Sequence, residues 1–349
     1  MSARLVPVSD AEYTRLASGT PLPVEQTPVW DRFDDVVPGR EPWGRLAFYD
    51  GTELAALLSL TRVRLPGGLQ YLWAKNGPVW VRQATARREH ELRSRLAAAL
   101  RRVDPRVVYV RLHAWHDADD VRPIMQGITY DRTVVVGLDR SEDDIFAAMK
   151  QQGRRAIRKA LKDDSMVVRE ETGLPAEAFG ELYDVLLETG GRGGYGLHPA
   201  ERYHQMLSTL GPEHARMFVV RRDGRPLAWV LVTLNDGHAV YSVGASNDEA
   251  RGSYAMDLLH WRIIQTLHAE GALAYDLAGA GSERYPGLNT LTQFKTKFDK
   301  TVIDAPPLRD APVRPWAYQA LLTAQRTRRG ARAGLSGLKE RAARTEPEA

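Results

Sequence analysis

Three lysines and two phenylalanines crowd together in the segment LNTLTQFKTKFDKTVID, residues 288–304. Lys295 and Lys297 lie between Phe294 and Phe298, and Lys300 follows shortly after. The composition is typical of a basic surface strand. It also suits a strand in which one lysine takes part in chemistry while its neighbours remain solvated. The residues of this segment leave both interpretations open.

Most other catalytic chemistries have no support in the sequence. The chain contains no cysteine, which excludes disulfides, thiolate nucleophiles and cysteine-ligated metals. The nine histidines form no HExxH or comparable pair, so we predict no metal site. A GxSxG nucleophile motif is missing, which argues against a serine hydrolase, and no GxxxxGK[ST] phosphate loop occurs.

Length and composition predict a soluble protein of two domains. The chain has 349 residues, of which 43% are hydrophobic and 26% are charged. No stretch approaches the roughly 18 apolar residues of a membrane span, and the N-terminus lacks the apolar core of a signal peptide. We therefore expect a cytoplasmic protein without an integral membrane segment.

Basic residues are unevenly distributed along the chain, although the net charge is only +4. They concentrate in segments 82–102, 149–162 and 324–344. Such concentrations favour a partner that carries phosphates, although solvated helix faces explain each segment equally well.

The first 140 residues alternate strand and helix patterns. A turn at Asp50-Gly51 joins two apolar runs into a predicted hairpin. Leucines at helical spacing predict a helix over residues 85–103, and β-branched residues predict a buried strand over 106–115. The segment TYDRTVVVGLD closes this unit.

A second unit follows the same order of elements. Asp-Gly turns at 223–224 and 236–237 separate three antiparallel strands, which precede a long helix ended by Gly271 and a further strand, ALAYDLAGA. The proline-rich segment 304–315 is predicted to be irregular. A helix after it is expected to pack on the first unit through Trp316, Leu321 and Leu322.

This order of elements is that of the GNAT fold. GNAT enzymes bind the coenzyme A pyrophosphate at the start of the long helix with a [QR]xxGx[GA] pattern. Around Gly252 this chain has Glu249 and Tyr254 at the positions of that pattern. The coenzyme A signature is therefore absent, which argues against an acetyl-CoA enzyme and leaves the fold standing.

Several segments, taken in order, resemble the short, armless members of the Fem-type (FemABX) peptidyltransferases. They are QQGRRAIRKALKDDSMVVRE, ERYHQMLSTLG, ARMFVVRRDGRPLAWVLV, AVYSVGAS, LLHWRIIQTLHAEGALAYDLAGAG and TQFKTKFD. The resemblance runs from about Gln26 to Trp316. It implies an α/β (α+β) chain of two tandem GNAT-like domains with mixed sheets flanked by helices. It also implies transfer of an amino acid from aminoacyl-tRNA, a co-substrate rather than a cofactor, to an amine.

The resemblance assigns roles on the donor side. The lysine of the family's Phe-Lys pair, Lys295 here, would stabilise the tetrahedral oxyanion, and no protein base is evident. Phosphates of the tRNA would be bound by basic residues of the 149–162 segment. These are Lys150, Arg154, Arg155, Arg158 and Lys159.

On the acceptor side the chain departs from the family. The family motif QSPxW followed by a basic residue is matched by QTPVWDR, with Trp30 and Arg32. A family carboxylate corresponds to His113, a phosphate-binding arginine to His198, and an acceptor-side tyrosine to Tyr241. The acceptor is therefore expected to be either a peptidoglycan precursor or the amine of a peptide or nucleoside antibiotic intermediate.

We predict an aminoacyl-tRNA-dependent transferase that forms an amide bond. Its domains would span 1–140 on the acceptor side and 141–306 on the tRNA and catalytic side, with a proline-rich link and basic helix at 307–349. An acyl-CoA N-acyltransferase on the same fold and a non-catalytic tRNA-binding protein are the alternatives. No DNA partner is expected.

Overall fold

Two mixed β-sheets flanked by α-helices form the protein. The structure is a computed structural model that describes residues 3–194 and 196–327. Within these residues one sheet has eight strands and the other has seven. This architecture confirms the predicted α/β class with two mixed sheets.

The first part of the chain supplies most of the first sheet. Its strands are β1 (Arg4–Val8), β2 (Arg40–Asp50), β3 (Glu53–Arg64), β4 (Gln70–Trp73), β5 (Val79–Trp80), β6 (Val107–His113) and β7 (Arg122–Pro123). The accompanying helices are α1 (Asp10–Leu16), α2 (Pro28–Val36) and α3 (Ala86–Val103). Leu92, Leu96 and Leu100 of α3 are buried against this sheet, as their helical spacing predicts.

The second part of the chain supplies the other sheet and its helices. Its strands are β8 (Arg132–Gly137), β9 (Met166–Glu170), β10 (Ala215–Arg222), β11 (Arg225–Asn235), β12 (His238–Ser246), β13 (Ala274–Ala280) and β14 (Ile303–Asp304). Its helices are α4 (Glu142–Ala148), α5 (Gln151–Ala160), α6 (Phe179–Gly193), α7 (Ala200–Leu210), α8 (Asp248–Ser253), α9 (Ala255–Ala269) and α10 (Asn289–Lys295). A final strand, β15 (Leu308–Pro312), precedes a helix whose described residues are 315–327.

The two sheets repeat one strand order and exchange one strand each. The first runs β1-β2-β3-β4-β6-β15-β7 and the second β9-β10-β11-β12-β13-β8-β14. β8 comes from the segment between the units and pairs with β13, whereas β15 comes from beyond the second unit and pairs with β6. The chain thus crosses to the second sheet between β7 and β8 and returns to the first sheet between β14 and β15.

Local turn chemistry explains the hairpins of both sheets. Asp223 and Gly224 have φ of 49° and 80°, and Asp236 and Gly237 have φ of 48° and 74°. Positive φ at both central residues defines the type I′ turn, whose twist matches that of paired strands. The hairpins β10-β11 and β11-β12, and β2-β3 around Asp50-Gly51, are therefore confirmed.

The C-terminal region differs from the expectation in two ways. Residues 308–312 form strand β15, although its prolines predicted irregular structure, because β6 offers a free edge for pairing. The following helix does pack on the first unit, but through Ala317 and Tyr318 beside Leu321 and Leu322, while Trp316 is 75% exposed. The basic tail after residue 327 lies outside the described residues.

A shared hydrophobic core joins the two units. Trp30 and Phe33 of α2 pack with residues of α6, α7 and β10 in one buried cluster. The side chains of Asn235 and Asp236 are hydrogen-bonded to the backbone of Leu22 in the first unit. Leu22 N donates to Asp236 Oδ2 at 3.0 Å, and Asn235 Nδ2 donates to Leu22 O at 3.0 Å. The cleft between the units therefore has fixed walls.

The exchanged strand β15 carries a buried ion pair that anchors it to the first sheet. Asp310 is fully buried and accepts from Arg111 Nε at 2.7 Å, from Arg111 Nη2 at 3.1 Å and from Tyr318 Oη at 3.2 Å. Replacement of Asp310 leaves a buried guanidinium without its carboxylate.

We expect Asp310→Ala to lower the free energy of unfolding by about 3–5 kcal/mol in urea titrations. Asp304→Ala is the control, because the Asp304 side chain is 81% exposed and pairs with Arg132 only at 3.6 Å; it should cost less than about 1 kcal/mol. Equal losses for the two variants would contradict a role of the pair in holding β15.

Candidate active site

Lys295 is the last residue of α10, not part of a strand as the sequence suggested. Helix α10 begins after a short 3-10 turn at 286–288, and the chain turns again at Thr296. The ammonium of Lys295 is 5% exposed and donates to the carbonyls of Ala278 at 3.1 Å and Gly279 at 2.6 Å. Both carbonyls belong to β13.

The carbonyls are available because β12 and β13 separate at this point. The two strands pair in parallel only over residues 238–240 and 274–276. Immediately beyond, β13 bulges between Asp276 and Gly279, and Ala278 has φ of 58°, in the left-handed region that alanine rarely adopts. The Lys295 ammonium lies in the resulting opening, 5.8 Å from the ring centroid of Tyr241 on β12.

Burial gives this ammonium an unusual acidity. Desolvation lowers the pKa of Lys295 to about 8, against which the nearby Asp276 carboxylate acts weakly. A carbonyl carries only a partial charge, so two carbonyl acceptors leave the ammonium charge incompletely balanced. The third N–H remains available for a ligand in the opening.

A neutral histidine lies beneath this lysine. His260 of α9 is fully buried, its ring lies 4.9 Å from Tyr241 and 5.5 Å from Phe294, and its Nδ1 shares a hydrogen bond of 3.1 Å with Tyr275 Oη. Its Nε2 has no hydrogen-bond partner among the described residues. Desolvation, with smaller effects of Lys295 and Lys297, lowers the pKa of His260 to about 3.

Lys297 is not a solvated lysine, contrary to the sequence interpretation. Its side chain is 14% exposed and pairs with the buried Asp257 of α9 at 2.7 Å. The carbonyl of Lys297 also contacts α5, where a Cβ at Gly153 would come within 2.6 Å of it. Only glycine permits this approach, which fixes the basic helix α5 against the end of α10.

The five predicted tRNA-binding residues fall into two groups on and beside α5. Lys150 Nζ donates to Thr296 Oγ1 at 2.7 Å, Arg154 donates to the carbonyls of Ala147 and Met149, and Arg158 lies 5.1 Å from the Phe146 ring. These three hold α5, α4 and α10 together.

The other two basic residues share a free face of the helix. Arg155 and Lys159 lie four residues apart, and Lys162 follows three residues later. All three are exposed, and none makes an ion pair within the described part of the chain. We call Arg155, Lys159 and Lys162 the α5 stripe.

Trp30, predicted to bind the acceptor, is a core residue with 2% of its surface exposed. The preceding Gln26 is also buried and bonds to the backbone of Ser59 and Lys75. Together they position Lys75, whose ammonium lies 4.0 Å from the Trp30 ring centroid. The QTPVW motif therefore holds a lysine that the sequence interpretation overlooked.

The remaining acceptor-side residues differ in environment. Arg32 is exposed, Tyr241 lines the opening beside Lys295, and His113 Nδ1 bonds to Pro306 O at 2.7 Å where the chain returns to the first sheet. Burial lowers the pKa of His113. His198 is exposed and its Nδ1 accepts from Arg202 Nη1 at 2.9 Å.

A cationic cluster from both units surrounds His198. Arg202 of α7 lies beside it, and Arg40 and Lys75 of the first unit are close enough to affect its protonation. Burial, aided by Arg40, lowers the pKa of both Arg202 and Lys75. We call Arg40, Lys75, His198 and Arg202 the cleft cluster. No local motif contains all four, because two residues come from the first unit and two from the second.

Metal and membrane sites find no support in the described residues. No group of histidine and carboxylate side chains among them could hold a metal ion. None of the helices described is long and apolar enough to cross a bilayer.

Acid should destabilise the protein through His260. Because its folded pKa lies below the unfolded value of about 6.5, the unfolded chain binds the proton first, and stability falls as the pH drops below that value. Between pH 7 and pH 5 the free energy of unfolding of the wild-type protein, measured by urea titration, should fall by about 2 kcal/mol. His260→Phe should not show this fall. His90→Phe, at an exposed histidine, should leave the pH dependence unchanged; an identical pH dependence in His260→Phe and wild type would refute the assignment.

Comparison with known proteins agrees with this architecture. Residues 147–286 match the model of the acetyltransferase (GNAT) domain. No curated protein matches the sequence. The matched segment covers α5 to β13 and ends before Lys295.

Solved structures share the fold at low sequence identity. FemX aligns with a TM-score of 0.70 at 13% identity, covering 91% of this chain and 100% of its own. A tandem GNAT protein of the clavulanic acid biosynthesis pathway aligns at 0.53 and 13%, covering 89% and 99%. The C-terminal domain of a putative lysylphosphatidylglycerol synthetase from Agrobacterium fabrum aligns at 0.52 and 15%, covering 91% and 97%. The chain therefore has the fold of tandem GNAT proteins, and its second unit is similar to the GNAT acetyltransferase domain.

Proposed function

We propose that the protein is an aminoacyl-tRNA-dependent transferase that joins the amino acid of a charged tRNA to an amine acceptor. The observation that carries the proposal is the buried Lys295 ammonium in the opening between β12 and β13. An opening between these two strands exposes backbone groups and side chains from both sheet faces, which suits a site where a donor and an acceptor meet.

Lys295 would stabilise the charge that develops during transfer. When an amine attacks the aminoacyl ester, the carbonyl oxygen becomes an oxyanion in the tetrahedral intermediate. Two N–H groups of Lys295 are held by Ala278 and Gly279, which fixes the direction of the third. A fixed donor in a desolvated site stabilises an oxyanion without reorganisation.

The surroundings of α8 favour tRNA over coenzyme A as the donor. GNAT enzymes bind a pyrophosphate at the place where residues 248–253 of this chain form α8. Here Glu249 pairs with Arg222 at 2.6 Å, and Tyr254 adopts φ of 61°. A carboxylate at this place repels a pyrophosphate. The α5 stripe lies beside it, since Lys159 is 5.0 Å from the Tyr254 ring, and would bind phosphates of the tRNA instead.

The cleft cluster supports an acceptor with an anionic group. Its cations come from both units, and burial, followed by the charge of Arg40, lowers the pKa of Arg202. Arg40 and Lys75 are paired with carboxylates, whereas Arg202 makes no ion pair within the described residues. An anion in the cleft would relieve that repulsion. A peptidoglycan precursor and a nucleoside or peptide antibiotic intermediate both satisfy this requirement.

The first test replaces the proposed oxyanion partner. Lys295→Met should lower the rate of transfer from glycyl-, alanyl- or seryl-tRNA to an amine by about 100- to 1,000-fold, because one oxyanion donor is lost, and should keep tRNA affinity. Lys300→Met, at an exposed lysine of the same segment, is the control. Transfer that resists ribonuclease or requires acyl-CoA would refute the tRNA donor, and unchanged transfer by Lys295→Met would refute the role of the lysine.

The second test concerns the α5 stripe. Replacement of Arg155, Lys159 and Lys162 by glutamine should weaken tRNA binding and reduce the slope of log affinity against log salt by about 2 to 3, one counterion being released per phosphate contact. Replacement of Arg95 and Arg102, two exposed arginines of α3, is the control and should leave the slope unchanged. An unaltered slope in the triple variant would show that tRNA binds elsewhere.

A further inference from the structure

A cavity between the two units lies against the strand face next to the catalytic opening. Its volume is about 230 Å³, and its walls come from residues 21–25 of the first unit and from β8, β11, β12 and β13 of the second. Thr233, Val240, Asp276 and Val135 are paired across these four strands, so their side chains lie in one row on one face. Asp276 is the charged member of that row.

The carboxylate of Asp276 has one oxygen held and one oxygen free. Oδ1 accepts from Ala278 N at 2.7 Å and from Thr133 Oγ1. Oδ2 accepts no hydrogen bond from the residues that the structure describes. Because both bonds end on Oδ1, the carboxylate is held in one orientation. Asp276 lines the cavity, and Oδ2 is its free oxygen.

The residue Ala278 links this carboxylate to Lys295. Ala278 donates its N–H to Asp276, and its carbonyl accepts from Lys295 Nζ. The proposed oxyanion donor and the carboxylate are therefore separated by a single residue of the β13 bulge. This spacing matches a reaction in which one group binds the carbonyl oxygen of the donor while the other meets the attacking amine.

Glu25 adds a second carboxylate on the opposite wall. It is 7% exposed, lines the same cavity and pairs with Lys75 through Oε1 at 3.4 Å. The cavity lining includes His238 but no lysine or arginine. Glu25 is thus already paired, whereas Asp276 makes no ion pair within the described residues, and its carboxylate suits a primary ammonium group.

We propose that the cavity admits the acceptor as a primary ammonium and that Asp276 takes its proton. The proposal rests on the proposed aminoacyl transfer. Asp276 Oδ2 removes one proton from R–NH₃⁺, and the neutral nitrogen forms the C–N bond with the ester carbonyl. The C–O bond to the tRNA ribose breaks, the ribose oxygen takes a proton from Asp276, and the nitrogen releases a second proton to solvent. One amide, one free tRNA hydroxyl and one proton result.

The environment of Asp276 suits a base. Burial raises the pKa of its carboxyl, although Thr133, the Ala278 N–H and Lys295 oppose this. Tyr130, in the segment before β8, and Tyr275, on β13 itself, lie near it, with Glu25 and His238 across the cavity. Burial raises the pKa of both tyrosines. A carboxylate of raised pKa is the stronger proton acceptor.

Asp276→Asn tests the proposal with little change of structure, because the Asn oxygen can still accept from Ala278 and Thr133. We expect transfer from charged tRNA to ethylamine to fall about 100-fold or more, and the acidic limb of the pH-rate profile to vanish. Trifluoroethylamine, which is already neutral at pH 7, should restore the variant to within about tenfold of wild type. Asp299→Asn, a carboxylate of the same unit outside the cavity, should behave as wild type.

Failure of the proton transfer and failure of the donor assignment are separable. If wild type transfers to ethylamine and Asp276→Asn does so at an equal rate with the same acidic limb, Asp276 is not the base. If wild type shows no transfer from tRNA, the proposed function fails. Calorimetric titration with ethylammonium then tests whether the cavity binds an amine. Binding at least about tenfold weaker in Asp276→Asn would support the amine site, and equal binding would overturn it.

Discussion

The left-handed backbone at Ala278 is the constraint on which the site depends. A non-glycine residue in this conformation costs about 1–2 kcal/mol, so its surroundings must hold it there. Lys295 binds its carbonyl and Asp276 binds its N–H. In return the bulge ends the pairing of β12 with β13, opens the sheet and brings an ammonium and a carboxylate to the carbonyl and the N–H of one residue.

The exchange of strands between the sheets fixes the two walls around this site. β8 reaches the second sheet beside β13, and Thr133 of β8 supports the carboxylate of Asp276. β15 returns to the first sheet, where the buried pair of Asp310 and Arg111 holds it. The units are therefore joined by two connections of the chain, one before β8 and one before β15.

The basic residues of the chain differ in whether a carboxylate pairs with them. Many arginines of the chain are paired with carboxylates, as Arg216 is with Glu170 and Arg221 with Glu171. The α5 stripe and Arg202 of the cleft cluster are different, because they make no ion pair within the described residues. In the function proposed above, the α5 stripe would bind tRNA and Arg202 would meet the anionic group of the acceptor.

Sequence alone determined the features that depend on near neighbours. The Asp-Gly hairpins, the α3 leucine face and the long helix α9 follow from spacing within a few residues, and the order of elements indicated the tandem GNAT fold. Lys295 was singled out by resemblance, and its role remains a prediction. Strand character was wrong for residues 289–295, because they form helix α10, which is stabilised by its packing rather than by local pattern. Ile303–Asp304 do form strand β14.

Only the tertiary structure decided which side chains share a site. Asp276 lies in the middle of an ordinary strand sequence, and nothing local signals that a bulge two residues later frees one of its oxygens. Lys75 and Arg202 are more than a hundred residues apart, and both lie near His198 because α2 and α7 pack in one core. The exchange of β8 and β15 is equally invisible, since strand pairing is chosen by the free edges of the folded sheets and not by the strand itself.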